Sequence, residues 1–227
     1  MAVVNLALTW DLADEQVFDI AKAAGLKKQS RLELLQCWDI TRTWSDWIIS
    51  NFGAVTAVRH RTPPDDPPDV ELICEKQTVG MEHTRLKPPH LGQADALMRK
   101  SGQGGFIPSI SSPPKNFKEM INIVSGVTPS WSSTMEDWKA VFDLLAITLR
   151  RKINGMPSGG IIAVVHDLVV ATTNQRILAE VAQNIINRDE FADFVDYTLI
   201  LMDRSNFRQY HSSLIRRGED IRERNQI

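Results

Sequence analysis

Two uninterrupted apolar runs, GGIIAVVHDLVV from Gly159 and DYTLILMD from Asp196, constrain the fold of this chain more than any other feature. Both are rich in apolar residues, many of them β-branched, and neither alternates polar with apolar positions. Each therefore reads as a strand covered on both faces rather than as part of a sheet with one wet side. Strands of that kind need helices above and below them.

The rest of the chain supplies those helices. Residues 13 to 24 have helical periodicity and end at Gly25, a suitable C-cap. Ser30 opens a longer amphipathic run to about Phe52, with Leu34, Leu35, Trp38, Trp44, Trp47 and Ile48 at helical spacing. Thr134, with Asp137 three residues on, starts a helix that closes at Gly155. Further helices are predicted at about 173–187 and 189–194. Two short strands, about 70–75 and 78–85, read as a hairpin with a polar turn. Before them RTPPDDPPD, from Arg61, holds four prolines and can only be an extended connector. The order helix, strand, strand, helix, strand, helix, strand predicts an α/β fold with a central mixed β-sheet flanked by helices. The crossover from about 79 to 165 should join two parallel strands with right-handed sense.

A chain of 227 residues can bury a substantial core. Residues 1–28 read as an N-terminal helical extension, 29–203 as the α/β core, and 204–227 as a tail or solvated helix. Residues 87 to 134 contain six prolines, five glycines and eight serines. They read as a long mobile insertion with at most a short helix near NFKEMINIV. The 26 basic and 28 acidic residues give a net charge of -2, so any nucleic-acid contact must come from local patches. Cys37 and Cys74 sit in apolar contexts without metal-ligand spacing and read as buried free thiols, which suits a reducing compartment. The N-terminus lacks a signal-peptide pattern and no run is long enough for a membrane span. The expectation is a soluble, cytoplasmic chain with no membrane partner. Most of the six tryptophans lie at helical spacing and read as core.

The hairpin carries the unusual chemistry. Asp69 stands at the entrance of its first strand, and Glu82 lies between Met81 and His83 on the second. Glu71 shares the face of Asp69 by alternation, and His83 points away from Glu82 and is expected to pack on the other face. Taken singly, Asp69 after a proline is an ordinary turn residue and Glu82 an ordinary edge glutamate. Elsewhere, IAKAAGLKKQS has the form of a helix-turn-helix turn, although Arg31 falls where that motif wants an apolar residue. SGQGG at 101–105 lacks the lysine of a phosphate loop and reads as a flexible tip. Arg99 and Lys100 beside it can reach a phosphate backbone.

Pro68-Asp69 followed by GMEHT resembles the PD-(D/E)xK nuclease superfamily, in the variant that reads E-x-T. The resemblance covers roughly residues 30 to 203. It implies a restriction-endonuclease-like core and metal-dependent hydrolysis of phosphodiester bonds in nucleic acid, DNA in the first instance. It makes Asp69 and Glu82 the ligands of Mg²⁺ or Mn²⁺, with the backbone carbonyl of His83 as a third. Thr84 stands where the family's lysine would be. A basic residue on the following helix takes that role in such variants, and Lys152 and Arg150 are the candidates; a lysine can act as a base or proton relay where an arginine stays charged. Glu33 matches a position where some members carry an extra acidic ligand, but it reads first as a solvated helix-face glutamate. The resemblance leaves room for a homodimer. It also leaves open a second class, a nuclease-like module that has lost activity and serves in nucleic-acid or protein binding.

Overall fold

The computed structural model describes residues 4–8, 12–61, 68–101, 114–124, 135–166, 175–203 and 210–226. Its eight strands form one mixed sheet in sequential order: β1 (Val4–Leu6), β2 (Val55–His60), β3 (Val70–Cys74), β4 (Thr78–Arg85), β5 (Ile161–His166), β6 (Thr198–Asp203), β7 (Tyr210–Ile215) and β8 (Arg222–Gln226). β1 to β4 run antiparallel, β4 to β6 parallel, and β6 to β8 antiparallel again. The mixed α/β sheet flanked by helices is therefore as expected, including the parallel step from β4 to β5.

Alternate residues of the strands sort into two cores. Val70, Leu72, Met81, Ile161, Ala163, Ile200 and Met202 pack with α1 (Asp14–Ala23), α2 (Lys28–Thr43) and α3 (Ser45–Phe52). Ile162, Val164, Leu199 and Leu201 pack on the opposite face with α6 (Met135–Ile153) and α7 (Gln175–Ile186). β5 and β6 are buried at every position, as their unbroken apolar sequence requires. Trp38, Trp44 and Trp47 are core residues, and both cysteines are buried free thiols. Among the described residues no helix is long and apolar enough to cross a membrane.

Several boundaries differ from the sequence reading. The run from Ser30 to Phe52 is two helices that break at Trp44. Thr41 and Thr43 turn their hydroxyls back onto the carbonyls of Cys37 and Asp39, each at 2.7 Å, an arrangement that bends a helix. β2 was not foreseen. It starts after Gly53, whose φ of +85° and close approach to Glu75 leave no room for a Cβ. The N-terminal segment is more than a helical extension, since β1 joins the sheet edge and α1 packs on α2.

The insertion carries two helices, α4 (Pro89–Ser101) and α5 (Phe117–Val124), rather than one short one. Leu91 and Ala94 bury their side chains in these surroundings, which anchors α4 despite its flanking prolines and glycines. Residues 102–113 and 125–134, which include SGQGG beyond Ser101 and Thr134, lie outside the described residues. The C-terminal segment is neither tail nor helix. β7 and β8 complete the sheet, and a charged edge strand such as RERNQ lacks the apolar alternation that marks a strand in sequence.

Candidate active site

Asp69 and Glu82 face each other across the open end of the β3–β4 hairpin, next to the register pair Val70 and Met81. Gly80 makes this possible, because a Cβ there would meet Pro68 at 3.0 Å, so the proline ring lies directly on β4. Each carboxylate accepts a hydrogen bond from the backbone beside the other. The His83 N–H donates to Asp69 Oδ2 at 2.8 Å, and the Asp69 N–H donates to Glu82 Oε2 at 3.1 Å. This crossed pair accounts for carboxylates where a strand would otherwise pack apolar side chains. Both acceptors are fixed by main chain, and Glu82 is only 4% exposed.

Alternation puts Glu82 and Thr84 on the face that packs against α6, level with Ile162 and Val164 of β5. From the last turn of α6, Lys152 reaches the remaining Glu82 oxygen, Oε1, as an ion pair. Arg150, two residues earlier, points elsewhere. It pairs with Glu190 at 2.5 Å and stacks over the Phe191 ring at 5.3 Å. Of the two basic candidates on α6, only Lys152 is brought to the carboxylates. Thr84 is buried, and so is the His83 side chain, whose alternation turns it to the α2 face as expected.

The other candidates lie apart from this group or outside it. Lys100 is exposed on α4, and the Arg99 side chain lies outside the described residues. Glu33 is half-buried on α2 and accepts a hydrogen bond from Gln29 at 2.9 Å. Its field reaches inward all the same: burial first, then Asp69, Glu82, Glu33 and Asp39, push the Cys37 thiol well above its ordinary value. The helix-turn-helix reading does not survive. Gly25 does make a tight turn and Arg31 stacks on Phe18 at 4.4 Å, but α2 buries Leu34, Trp38 and Ile40 against the sheet and is not free to enter a groove.

Glu71, on the face of Asp69, is engaged by two arginines. It is buried, with Arg59 Nη1 on Oε2 at 2.9 Å and Arg61 Nη2 on Oε1 at 2.6 Å. These two arginines were missed because β2 was missed. The signal was present in AVRHR, where Val58 and His60 alternate with Arg59 and Arg61.

The donor set fits a hard cation. Asp69 and Glu82 offer carboxylate oxygens, and Mg²⁺ asks for one or two such ligands, filling the rest of its shell with water and substrate oxygens. Among the described residues no group of three or more His, Cys, Asp or Glu side chains is placed to hold a metal, so the two carboxylates would carry the protein's side-chain share. No protein-family model matches the sequence, and no match was found among the curated proteins or the solved structures.

Proposed function

We propose that the chain is a restriction-endonuclease-like, metal-dependent nuclease that hydrolyses phosphodiester bonds in nucleic acid, DNA foremost. The observation that carries this reading is the meeting of Asp69, Glu82 and Lys152. Two carboxylates from adjacent strands and one lysine from a distant helix converge on one spot of the sheet. Packing alone gives no reason for such a group.

In this reading Asp69, Glu82 and the His83 backbone carbonyl would hold Mg²⁺ or Mn²⁺, which when bound would acidify a water and neutralise charge on phosphate oxygen. The chain's own residues do the rest. The backbone N–H groups of His83 and Asp69 keep the two carboxylates in place without reorganisation. Lys152 takes the place of the lysine that Thr84 replaces. It brings positive charge to the scissile phosphate and, being a lysine, can exchange a proton with the attacking water. Water adds to phosphorus, the P–O ester bond breaks, and the leaving oxygen departs with a proton to give a phosphate monoester and a hydroxyl end.

Incubating the protein with labelled DNA and RNA, with Mg²⁺ and with EDTA, tests this directly. Cleavage that needs the ion and disappears in Glu82→Gln supports it; no cleavage of any form tested, by protein that binds the ion, sinks it. That second result would favour a binding module without catalysis. One observation leans that way: Lys152 already engages one Glu82 oxygen, which a metal ion would have to share or displace.

A further inference from the structure

We propose that the pocket between α3 and the start of β6 binds a small zwitterion, a free α-amino acid, with Asp196 taking its ammonium group and Arg216 its carboxylate. The pocket has a volume of about 310 Å³. That is the small end of the range for ligand sites and suits a molecule of amino-acid size. Its walls come from α3, the turn before β5, the 3₁₀ helix Asp189–Asp196 with the start of β6, and the residue that follows β7. Thr198, one of the lining residues, shares a sheet face with Ile200 and Met202, the face covered by α1, α2 and α3. Glu82 faces the other way, level with Ile162 and toward α6. The pocket is therefore separate from the acidic pair, and its ligand does not depend on the nuclease reading.

The arrangement of charge selects the ligand. Asp196 and Arg216 both line the pocket, yet each is bonded to something other than its opposite. Asp196 Oδ2 accepts from the Ser158 hydroxyl at 2.8 Å, and Arg216 donates through Nη1 to Glu219 Oε1 at 2.6 Å. Glu219 is not among the lining residues and is shared with Arg222 at 3.8 Å, while the Arg216 side chain remains 33% exposed. A purely anionic ligand would meet the Asp196 carboxylate, and a purely cationic one the Arg216 guanidinium. A molecule that carries both charges satisfies both walls. The apolar lining comes from Trp47, Phe52 and Val195. Trp47 and Phe52 meet edge to face, with centroids 5.4 Å apart and planes at 85°. They form a corner for one side chain rather than the parallel faces between which a nucleobase stacks. Val195 is 59% exposed, and an apolar side chain in that corner gives it cover.

The test is calorimetric titration of the full chain with each of the common L-amino acids. The N-acetyl and decarboxylated forms of the tightest binder follow, with adenosine and guanosine for comparison. At least one L-amino acid should bind saturably and raise the unfolding temperature as its concentration increases. Removing either charge from that ligand should weaken binding by about tenfold or more. Arg216→Gln and Asp196→Asn should each lose a similar factor with unchanged circular dichroism, and Arg216→Lys should keep part of the affinity because the charge remains. Glu82→Gln should bind the amino acid as wild type does, which separates this pocket from the acidic pair. Should a pocket variant fail to fold, the ligand series on wild type decides by itself. Absence of binding by every L-amino acid up to about 10 mM would overturn the proposal. So would equal binding of the N-acetyl and decarboxylated forms, wild-type affinity in both Arg216→Gln and Asp196→Asn, or binding of a nucleoside in preference to any amino acid.

Discussion

Lys152 and Glu82 lie seventy residues apart in sequence and meet as an ion pair whose side chains are only 19% and 5% exposed. Breaking such a pair from one side strands the other charge in a poorly solvated place. Lys152→Ala should therefore lower the unfolding free energy by about 2 kcal/mol at neutral pH, read by urea denaturation. Adding Glu82→Gln to that variant should restore most of the loss, because the stranded charge is gone. Strictly additive losses in the double variant would mean that the two residues are not coupled. Cleavage by Lys152→Ala should be slow while its Mn²⁺ affinity is kept.

The crossed hydrogen bonds of Asp69 and Glu82 set up a sharper separation of fold from activity. Asp69→Asn and Glu82→Gln retain oxygen acceptors for the N–H groups of His83 and Asp69. Both variants should fold with wild-type circular dichroism. Their metal-dependent cleavage should fall to roughly a hundredth of wild type or less, because a charged ligand is lost. Cleavage at wild-type rate in either would remove that carboxylate from the site.

Both thiols should be silent in the native protein. Burial, then Glu75, pushes the Cys74 thiol up to about 11, and burial with the surrounding carboxylates raises Cys37 well above the ordinary 9.0. A thiol reagent at neutral pH should label neither until the chain is unfolded. The linkage has a definite sign. Above about pH 9 the unfolded chain releases thiol protons that the folded chain keeps, so stability should fall as pH rises from about 9 to about 11. Cys74→Ala should fall less steeply over that window in denaturant titrations at stepped pH.

The C-terminal strands should prove essential to folding. The Trp44 indole donates to Ser212 Oγ on β7 at 2.8 Å in a buried setting, and Arg224 on β8 stacks over the same ring at 4.9 Å. Ser212→Ala leaves a buried N–H without that acceptor and should cost about 1–3 kcal/mol in thermal or urea unfolding. A chain ending at residue 209 should fail to fold, where a dispensable tail would be lost without effect.

What the sequence disclosed follows from how each element is stabilised. β5 and β6 were plain because strands buried on both faces must be apolar throughout. β2 and β8 were hidden because each carries arginines on one face, and in β2 their partner Glu71 lies on another strand. The hairpin carboxylates were legible through their improbable places in apolar strands. Lys152 was distinguished from Arg150 only by chemistry, and the helix geometry that sends one to Glu82 and the other to Glu190 has no local sequence signal. The break at Trp44 goes with threonine back-bonding, and Trp44 itself bonds a serine on β7, far along the chain.

Whether Asp69 and Glu82 hold a divalent ion is measured, without reference to any substrate, by titration calorimetry with Mn²⁺. Wild type should give one saturable binding event, and Glu82→Gln and Asp69→Asn, confirmed folded, should give almost none. Absence of heat with the folded wild-type chain, or equal binding by the two variants, would contradict the central claim.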